Sequence, residues 1–459
     1  MIAELVLVQK FLMLAMAIPL VEVGLTFKKN KKLATSKMGT IKEMGRLTGK
    51  DGCILSKDFQ LNFKKSLEGI CVIAPTGEGK STSITLPNLL SDDLPPCSIV
   101  IADPKGEQYE ISAEYQRSIG REPILFEPLG NHAKYNLLEN CEGFTEVREL
   151  ASNLIINGGT GKSGNEWESM SIPLFTSALL NSKNISEALK LIINTSTGEL
   201  RELLGENSNE DIAEQFKIFM ASSGSPKTMS SIMTTLLTNL QLFTDHKIIN
   251  TTSKSDFKPT DLRKRPIALY IKYDVAKSNY LAPFLSVFYT QLINKIMYAQ
   301  GLPVLFILDE FQNIGKIKNF EEIVSVGRSE GLAFLVCIQN ISKLYDVYGK
   351  NDTVTILNNL KTKCILPSLS DYEAMSYISN LCDDTEIDTR SITGDRVTNG
   401  KTTRKLLSPG EIRRIEDDKV LIVAHNKNPF LDKQNIYYSK KGQPKTIYEQ
   451  RLKNLKGGK

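Results

Sequence analysis

Histidine and paired cysteines are scarce in this chain of 459 residues. The three His are far apart in sequence, so a His-rich metal site is not supported. The seven Cys are widely spaced and include no Cys-x-x-Cys pair, which argues against a disulfide framework or a zinc ribbon. A mean hydropathy of −0.18 excludes a protein built mainly of membrane spans. The length and the content of 41% hydrophobic and 24% charged residues indicate a folded chain of two or three domains.

Long apolar runs are also lacking, with one exception near the start. As a helix, residues 11–27 would extend about 25 Å, slightly less than a bilayer core of about 30 Å. The lysines within 28–32 follow this run, which favours a single membrane anchor with the bulk of the protein in the cytoplasm. A cleaved signal peptide would carry its positive charge before the apolar run. Pro19 and Glu22 leave an interfacial or buried helix as the alternative.

The basic charge lies at the two ends of the soluble part. Residues 28–50 and 433–459 each hold eight Lys or Arg and one acidic residue, although the net charge of the chain is only +5. Such clusters suit anionic lipid or nucleic acid. A solvated, weakly ordered tail is the alternative at the C-terminal end.

Short apolar runs separated by helical patterns fill most of the remaining chain. Runs of this kind are typical of strands buried on both faces of a parallel sheet, and their alternation with helices predicts an α/β fold. The predicted strands are 70–74, 98–102, 124–126, 267–271, 304–308, 333–338 and 420–424. Residues 141–255 break the rhythm, because helix-start signals recur at Asn184, Ser208 and Ser225 and strand signals are nearly absent. We therefore expect an all-helical insertion there.

The first of these runs leads into a loop with the composition of a phosphate-binding site. A strand, a glycine-containing loop with Lys-Ser, and a helix follow one another, which is the context such a loop needs. The glycines let backbone amides turn towards one anion, and the lysine reaches its outer phosphates. Ala74 stands where the pattern has its first Gly, and its small side chain is compatible with the turn. The predicted nucleotide-binding residues are Thr76, Gly77, Glu78, Gly79, Lys80, Ser81 and Thr82.

A second Gly-Lys-Ser sequence lies at 161–163. It falls between helical patterns, and Ile156 occupies the position of the first Gly. We interpret it as a loop that does not bind nucleotide.

Two adjacent carboxylates end a later predicted strand. In α/β sheets, ligand chemistry lies at the carboxyl ends of strands. Asp309 is expected to hold Mg²⁺ together with Ser81, and Glu310 to orient or deprotonate the attacking water. Together with the phosphate-binding loop, this acid pair predicts a nucleotide-hydrolysing site. ATP is the expected nucleotide, since no guanine-reading Asn-Lys-x-Asp occurs in the sequence.

Arg328 and Gln339 follow the acid pair. An Arg aimed at a γ-phosphate raises hydrolysis rates by about 10³–10⁵. Spacing alone favours an ordinary surface ion pair for Arg328, and Gln339 ends the next predicted strand.

These segments together resemble the conjugative coupling proteins of type IV secretion systems, the TraG/TraD type among RecA-like motor ATPases. The resemblance covers about residues 33–436. It rests on the phosphate loop, Trp167 at a helix start, Gln339, Tyr348-Gly349 and the sequences DPKGE at 103–107, LDEF at 308–311, GRSEG at 327–331 and LLSPGEI at 406–412.

The resemblance implies a membrane-anchored homo-hexamer with ATP sites at subunit interfaces. Lys80, Glu310, Arg328 and Gln339 would be catalytic, with Arg328 acting in trans and Gln339 sensing the γ-phosphate. The implied partners are single-stranded DNA with its relaxase or relaxosome, and the proteins of a type IV secretion channel. Asp103 and Glu107 would lie near the nucleotide.

The same resemblance suggests a division of the chain. The chain would comprise an anchor and basic flank (1–32), the first part of a RecA-like nucleotide-binding domain (33–140), a substrate-selecting all-α insert (141–255), the second part of the nucleotide-binding domain (256–436) and a basic tail (437–459). Three alternative functions remain open: a double-stranded DNA translocase, a protein-secretion motor, and a docking receptor that binds nucleotide with little turnover.

Overall fold

One large sheet organises the molecule. The computed structural model describes residues 36–159, 166–393 and 396–438. Numbered along the chain, the strands are β1 (Ile70–Ile73), β2 (Ser98–Asp103), β3 (Glu122–Phe126), β4 (Ile267–Lys272), β5 (Val304–Leu308), β6 (Leu332–Ile338), β7 (Thr362–Ile365), β8 (Asp384–Thr393), β9 (Arg396–Lys405), β10 (Lys419–Ala424) and β11 (Phe430–Lys433). Nine of them form the sheet, in the order β11-β10-β7-β1-β6-β5-β2-β4-β3, while β8 and β9 form a separate hairpin.

The sheet is parallel from β7 to β3, and β10 and β11 add an antiparallel edge. The predicted α/β fold is therefore confirmed, and every predicted strand is present with its ends shifted by at most two residues. In a parallel sheet the carboxyl ends of all strands lie along one edge. The segments that follow β1, β5 and β6 therefore meet at the same place.

Strand β7 was not predicted from the sequence, because polar residues interrupt it. Lys363, in this strand, is only 6% exposed, and its Nζ donates to the carbonyl of Leu360 at 2.5 Å. Burial lowers the pKa of this lysine to about 8. A hydrophobic pattern does not identify a strand that carries a buried ammonium.

Helices cover both faces of the sheet and fill the segment between β3 and β4. Their bounds are Ile41–Met44, Phe63–Ser66, Leu86–Leu89, Glu107–Ser118, Gly143–Gly158, Glu166–Leu180, Ile185–Asn194, Thr197–Leu200, Glu210–Ser223, Pro226–Asn239, His246–Thr251, Asp261–Lys264, Ser278–Met297, Phe320–Val326, Ile341–Tyr348, Lys350–Asn359, Tyr372–Leu381 and Pro409–Arg413.

Side-chain caps explain where several of these helices start. Asn184 and Ser225 accept the predicted capping hydrogen bonds from the amides of Glu187 and Thr228. The prediction at Ser208 was one residue early. Asn209 is the cap there, since its Oδ1 accepts a hydrogen bond from the amide of Asp211 at 3.0 Å.

The core lies on both faces of the sheet. Alternate residues of each strand enter different clusters, as Cys71 and Ile73 do on one face and Ile70 and Val72 on the other. The cluster that contains Ile73 continues into the helices between β3 and β4. Those helices are thus anchored to the sheet by shared apolar packing.

The predicted membrane span at 11–27 lies outside the described residues, as does most of the basic tail. Within the three described ranges, no helix has both the length and the apolar character needed to cross a bilayer.

Candidate nucleotide site

The phosphate loop follows β1 directly. Ala74 extends the pairing of β1, because its amide donates to the carbonyl of Ile338 at 3.1 Å. Ala74 is thus part of the ladder, and the turn begins after it. Gly77 and Gly79 both have φ of +89°, a conformation that other residues rarely adopt. The turn therefore requires glycine at 77 and 79, where the sequence has it, and does not require it at Ala74.

A helical segment begins at the end of this loop. A π-helical turn, Lys80–Thr85, leads into the helix Leu86–Leu89. The first amides of a helix have no carbonyl partner within it and carry its positive end. Thr76 and Gly77 are exposed, and Thr82 Oγ1 donates back to the carbonyl of Gly79 at 3.2 Å. The outer part of the loop is therefore open to solvent, whereas Lys80 is buried beside it.

Lys80 connects the phosphate loop to the acid pair. It is 6% exposed, and its Nζ lies 3.2 Å from Glu310 Oε1 and 3.3 Å from the carbonyl of Ala74. A buried ammonium needs a counter-charge, which here comes from the end of β5.

Asp309 faces the same loop. Ser81 Oγ donates to Asp309 Oδ2 at 3.0 Å, and Gln108 Nε2 donates to the same oxygen at 3.3 Å. The predicted Mg²⁺ pair, Ser81 and Asp309, is thus assembled from segments 228 residues apart. Gln108 was not predicted, since a glutamine in the first turn of a helix gives no sequence signal of its own.

The residues fit a magnesium–nucleotide complex. Hydroxyl and carboxylate oxygens are hard ligands, and Mg²⁺ commonly takes one or two protein oxygens beside phosphates and waters. Gln108 Oε1 is buried and accepts no hydrogen bond in the described part of the chain. It is therefore an acceptor available to a metal-bound water next to Asp309.

Glu310 is held by two amides. Gln312 Nε2 donates to its Oε2 at 2.9 Å, and Gln339 Nε2 donates to the same oxygen. Glu310 itself has φ of +53° in the left-handed region, which costs free energy in a residue other than Gly and is common at functional sites. The predicted residue Gln339 thus contacts the predicted base directly, whereas Gln312 was missed.

Packing fixes the segment after the acid pair. The ring of Phe311 stacks on Tyr348 with centroids 5.4 Å apart, and Tyr348 OH accepts from the amide of Ile317 at 3.1 Å. This contact gives the Tyr-Gly sequence at 348–349 a structural role.

Asp103 has a capping role. Its two carboxylate oxygens accept from the amides of Gly106 at 3.0 Å and Tyr109 at 2.9 Å, and burial raises its pKa. The cap fixes the start of the helix Glu107–Ser118, which carries Gln108 towards Asp309. Glu107, the first residue of this helix, is exposed.

Arg328 lies at the opposite edge of the sheet. It precedes β6, whereas Gln339 follows β6, and a strand of seven residues spans roughly 20 Å. Its Nη1 is paired with Glu68 Oε1 at 2.9 Å. Arg328 is therefore not brought to the phosphate loop of its own chain.

The second Gly-Lys-Ser sequence follows a helix. Gly158 ends the helix Gly143–Gly158, and residues 160–165 lie outside the described residues.

Asp309 should make the free protein pH-sensitive. Burial raises its pKa to about 6, opposed by Lys80 and reinforced by Glu310. A carboxyl whose pKa is higher in the folded than in the unfolded state stabilises the fold at low pH. This contribution is lost as the pH rises through the folded-state pKa, here about 6. Without nucleotide or Mg²⁺, Asp309→Asn should therefore be more stable than the wild type at pH 8 by about 1–3 kcal/mol, and the difference should vanish near pH 4. Calorimetric melting at both pH values measures this; an equal difference at both would contradict it.

The comparisons with known proteins agree on one family. VirD4 of Rhizobium radiobacter is 26% identical over 415 residues, which are 84% of this chain and 59% of VirD4. TraG of Escherichia coli is 26% identical over 387 residues, 74% of this chain and 58% of TraG. The chain thus spans less than two thirds of the length of these relatives.

Solved structures share the fold. The unbound conjugative coupling protein TrwBdeltaN70 matches with a TM-score of 0.70 and 18% identity, over 89% of this chain and 94% of that one. TrwB has also been solved with the ATP analogue ADPNP, and that structure matches with a TM-score of 0.67 and 16% identity, over 89% of this chain and 95% of TrwB. A profile described as "Type IV secretory system Conjugative DNA transfer" matches residues 26–456, and the chain therefore belongs to this family.

Proposed function

We propose that this protein hydrolyses ATP and uses the energy to deliver single-stranded DNA with its bound relaxase to a type IV secretion channel. The observation that carries the proposal is the convergence of Lys80, Ser81, Asp309, Glu310 and Gln339 at the carboxyl ends of three adjacent strands. Phosphoryl transfer needs positioned positive charge and a placed water, and this set supplies both.

The contacts of each residue indicate its role in ATP hydrolysis. The amides of residues 76–82 and Lys80 bind the phosphates, so Lys80 exchanges its contact with Glu310 for one with ATP. Glu310 is then free to accept a proton from the attacking water. Gln339 follows β6 and is hydrogen-bonded to Glu310, so a change in the contacts of Glu310 is passed to β6.

Ser81 and Asp309 would hold Mg²⁺. The bound ion would neutralise charge on the β- and γ-phosphates. TrwB has been solved with ADP and Mg²⁺, which supports the choice of magnesium as the ion by analogy.

The arginine supports a ring of identical subunits. Arg328 is 59% exposed at the sheet edge away from its own loop, as a residue must be to reach a neighbour's ATP. A homo-hexamer with sites between subunits satisfies this geometry.

Family membership supports the cargo and the location. The helices between β3 and β4 would select the relaxase–DNA complex, and residues 11–27 with the basic flank would anchor the protein in the cytoplasmic membrane. A groove that tracks the phosphate backbone holds single strands regardless of sequence. Stimulation of ATP hydrolysis by single-stranded rather than duplex DNA separates this function from a duplex translocase, and lack of stimulation by either favours a protein-secretion motor.

Lys80→Ala and Glu310→Gln should separate a motor from a docking receptor. Lys80→Ala removes the phosphate contact and should weaken ATP binding, whereas Glu310→Gln should keep binding and lower kcat by about 10²–10⁴. Phosphate release and binding of a fluorescent ATP analogue measure the two effects.

Lys162→Ala is the matched control, because it alters the other Gly-Lys-Ser sequence. It should leave both readouts unchanged. DNA transfer at normal efficiency in both Lys80→Ala and Glu310→Gln cells would reject the motor and favour the receptor.

Subunit mixing tests the action of Arg328 in trans. Arg328→Ala and Lys80→Ala subunits should each be inactive alone, but a mixed ring would contain interfaces with an intact loop and an intact arginine. Mixing them should restore part of the ATPase activity. Mixing Lys80→Ala with Glu310→Gln should restore none, since both changes damage the same half of the site. No recovery in the first mixture at any ratio would count against action in trans.

A further inference from the structure

A buried carboxylate lies beside Arg328 at the amino-terminal edge of the sheet. Glu68, just before β1, is 8% exposed on its side chain. Its position is fixed from both sides: the amide of Lys361 donates to its carbonyl at 3.0 Å, and its own amide donates to Lys65 at 3.1 Å. Neither the family motifs nor the apolar patterns single this residue out.

Three basic side chains converge on this carboxylate. Oε1 lies 2.8 Å from Lys65 Nζ and 2.9 Å from Arg328 Nη1, and Oε2 lies 3.1 Å from His425 Nδ1. A carboxylate that is both buried and paired on each oxygen is held in one orientation.

His425 strengthens that constraint. It has φ of +54°, and its amide donates to the carbonyl of Lys361 at 3.0 Å. Its Nε2 is buried without a hydrogen-bond partner among the described residues. A residue other than Gly keeps such a φ only where its surroundings hold it, and the contacts with Lys361 and Glu68 hold His425 from two sides.

The backbone that carries Arg328 is also rigid. Buried Arg263 donates to the carbonyl of Glu330 at 2.7 Å, and Leu332 N donates to Gly327 O at 2.8 Å, which closes the turn. The side chain of Arg328 is nonetheless 59% exposed. The turn fixes the backbone position of Arg328, so the direction of its guanidinium depends on the contact with Glu68.

Among the residues that the structure describes, the contact with Glu68 leaves most of the Arg328 guanidinium unengaged. Arginine has five N–H donors in a planar fork, and the ion pair with Glu68 is made through Nη1. The remaining donors of the fork stay available to phosphate oxygens.

We infer that Glu68 is a positioning residue, which orients Arg328 towards the phosphates bound by a second copy of this chain. The inference rests on the proposed action of Arg328 in trans. An exposed arginine without such a partner would sample many rotamers, and each misplacement would lower the rate of hydrolysis at the neighbouring subunit.

The test uses the chain of 459 residues in detergent. Glu68→Ala should lower kcat by roughly 10–100-fold with little change in KM, because the loop that binds ATP is at the other edge of the sheet. Glu68→Gln keeps an acceptor for Nη1 and should retain more activity. Glu330→Gln removes a carboxylate from the turn itself and is the control expected to keep wild-type kcat.

Mixing separates positioning from folding. Glu68→Ala subunits mixed with Lys80→Ala subunits should regain activity, since their own loops meet intact arginines, whereas mixing with Arg328→Ala should give none. Unchanged kcat in Glu68→Ala would overturn the inference. So would failure to recover with Lys80→Ala when the Arg328→Ala and Lys80→Ala pair does recover, because Glu68 would then have only a structural role. Failure of that reference pair would overturn the trans mechanism as well.

Discussion

The ion pair between Lys80 and Glu310 is the interaction on which the site depends. It joins the end of β1 to the end of β5 at 3.2 Å, and the hydrogen bond from Ser81 to Asp309 reinforces it. Burial makes the ion pair strong, and it also makes the loss of either Lys80 or Glu310 costly. Under the proposed function, a bound triphosphate would compete for the same ammonium, so ligand binding and the release of the carboxylate would be one event.

The parallel sheet determines which residues share an edge. The phosphate loop, the acid pair and Gln339 follow strands, whereas Glu68 and Arg328 precede strands. Two clusters of charge therefore lie at opposite ends of β1 and β6, separated by a layer of buried apolar side chains. A rigid element between two charged clusters is suited to transmit small displacements from one to the other.

Much of this arrangement could be predicted from the sequence. Continuous apolar runs identified the parallel strands, and Asp309 and Gly79 carried local signals of strand end and turn. Contacts from distant segments could not be predicted: Gln108 and Glu68 are ordinary polar residues until folding brings them to Asp309 and Arg328. Strand β7 was missed for a related reason, since Lys363 is buried only in the context of its neighbours.

Placing the phosphate loop and the arginine on opposite edges also has a genetic consequence. In the proposed ring, each polypeptide would contribute to two interfaces, one on either side of it. An allele that inactivates one half should therefore poison assemblies that contain wild-type copies, and behave as dominant when both are expressed. A ring built in this way would need no second gene, because one kind of polypeptide would supply both sides of every junction.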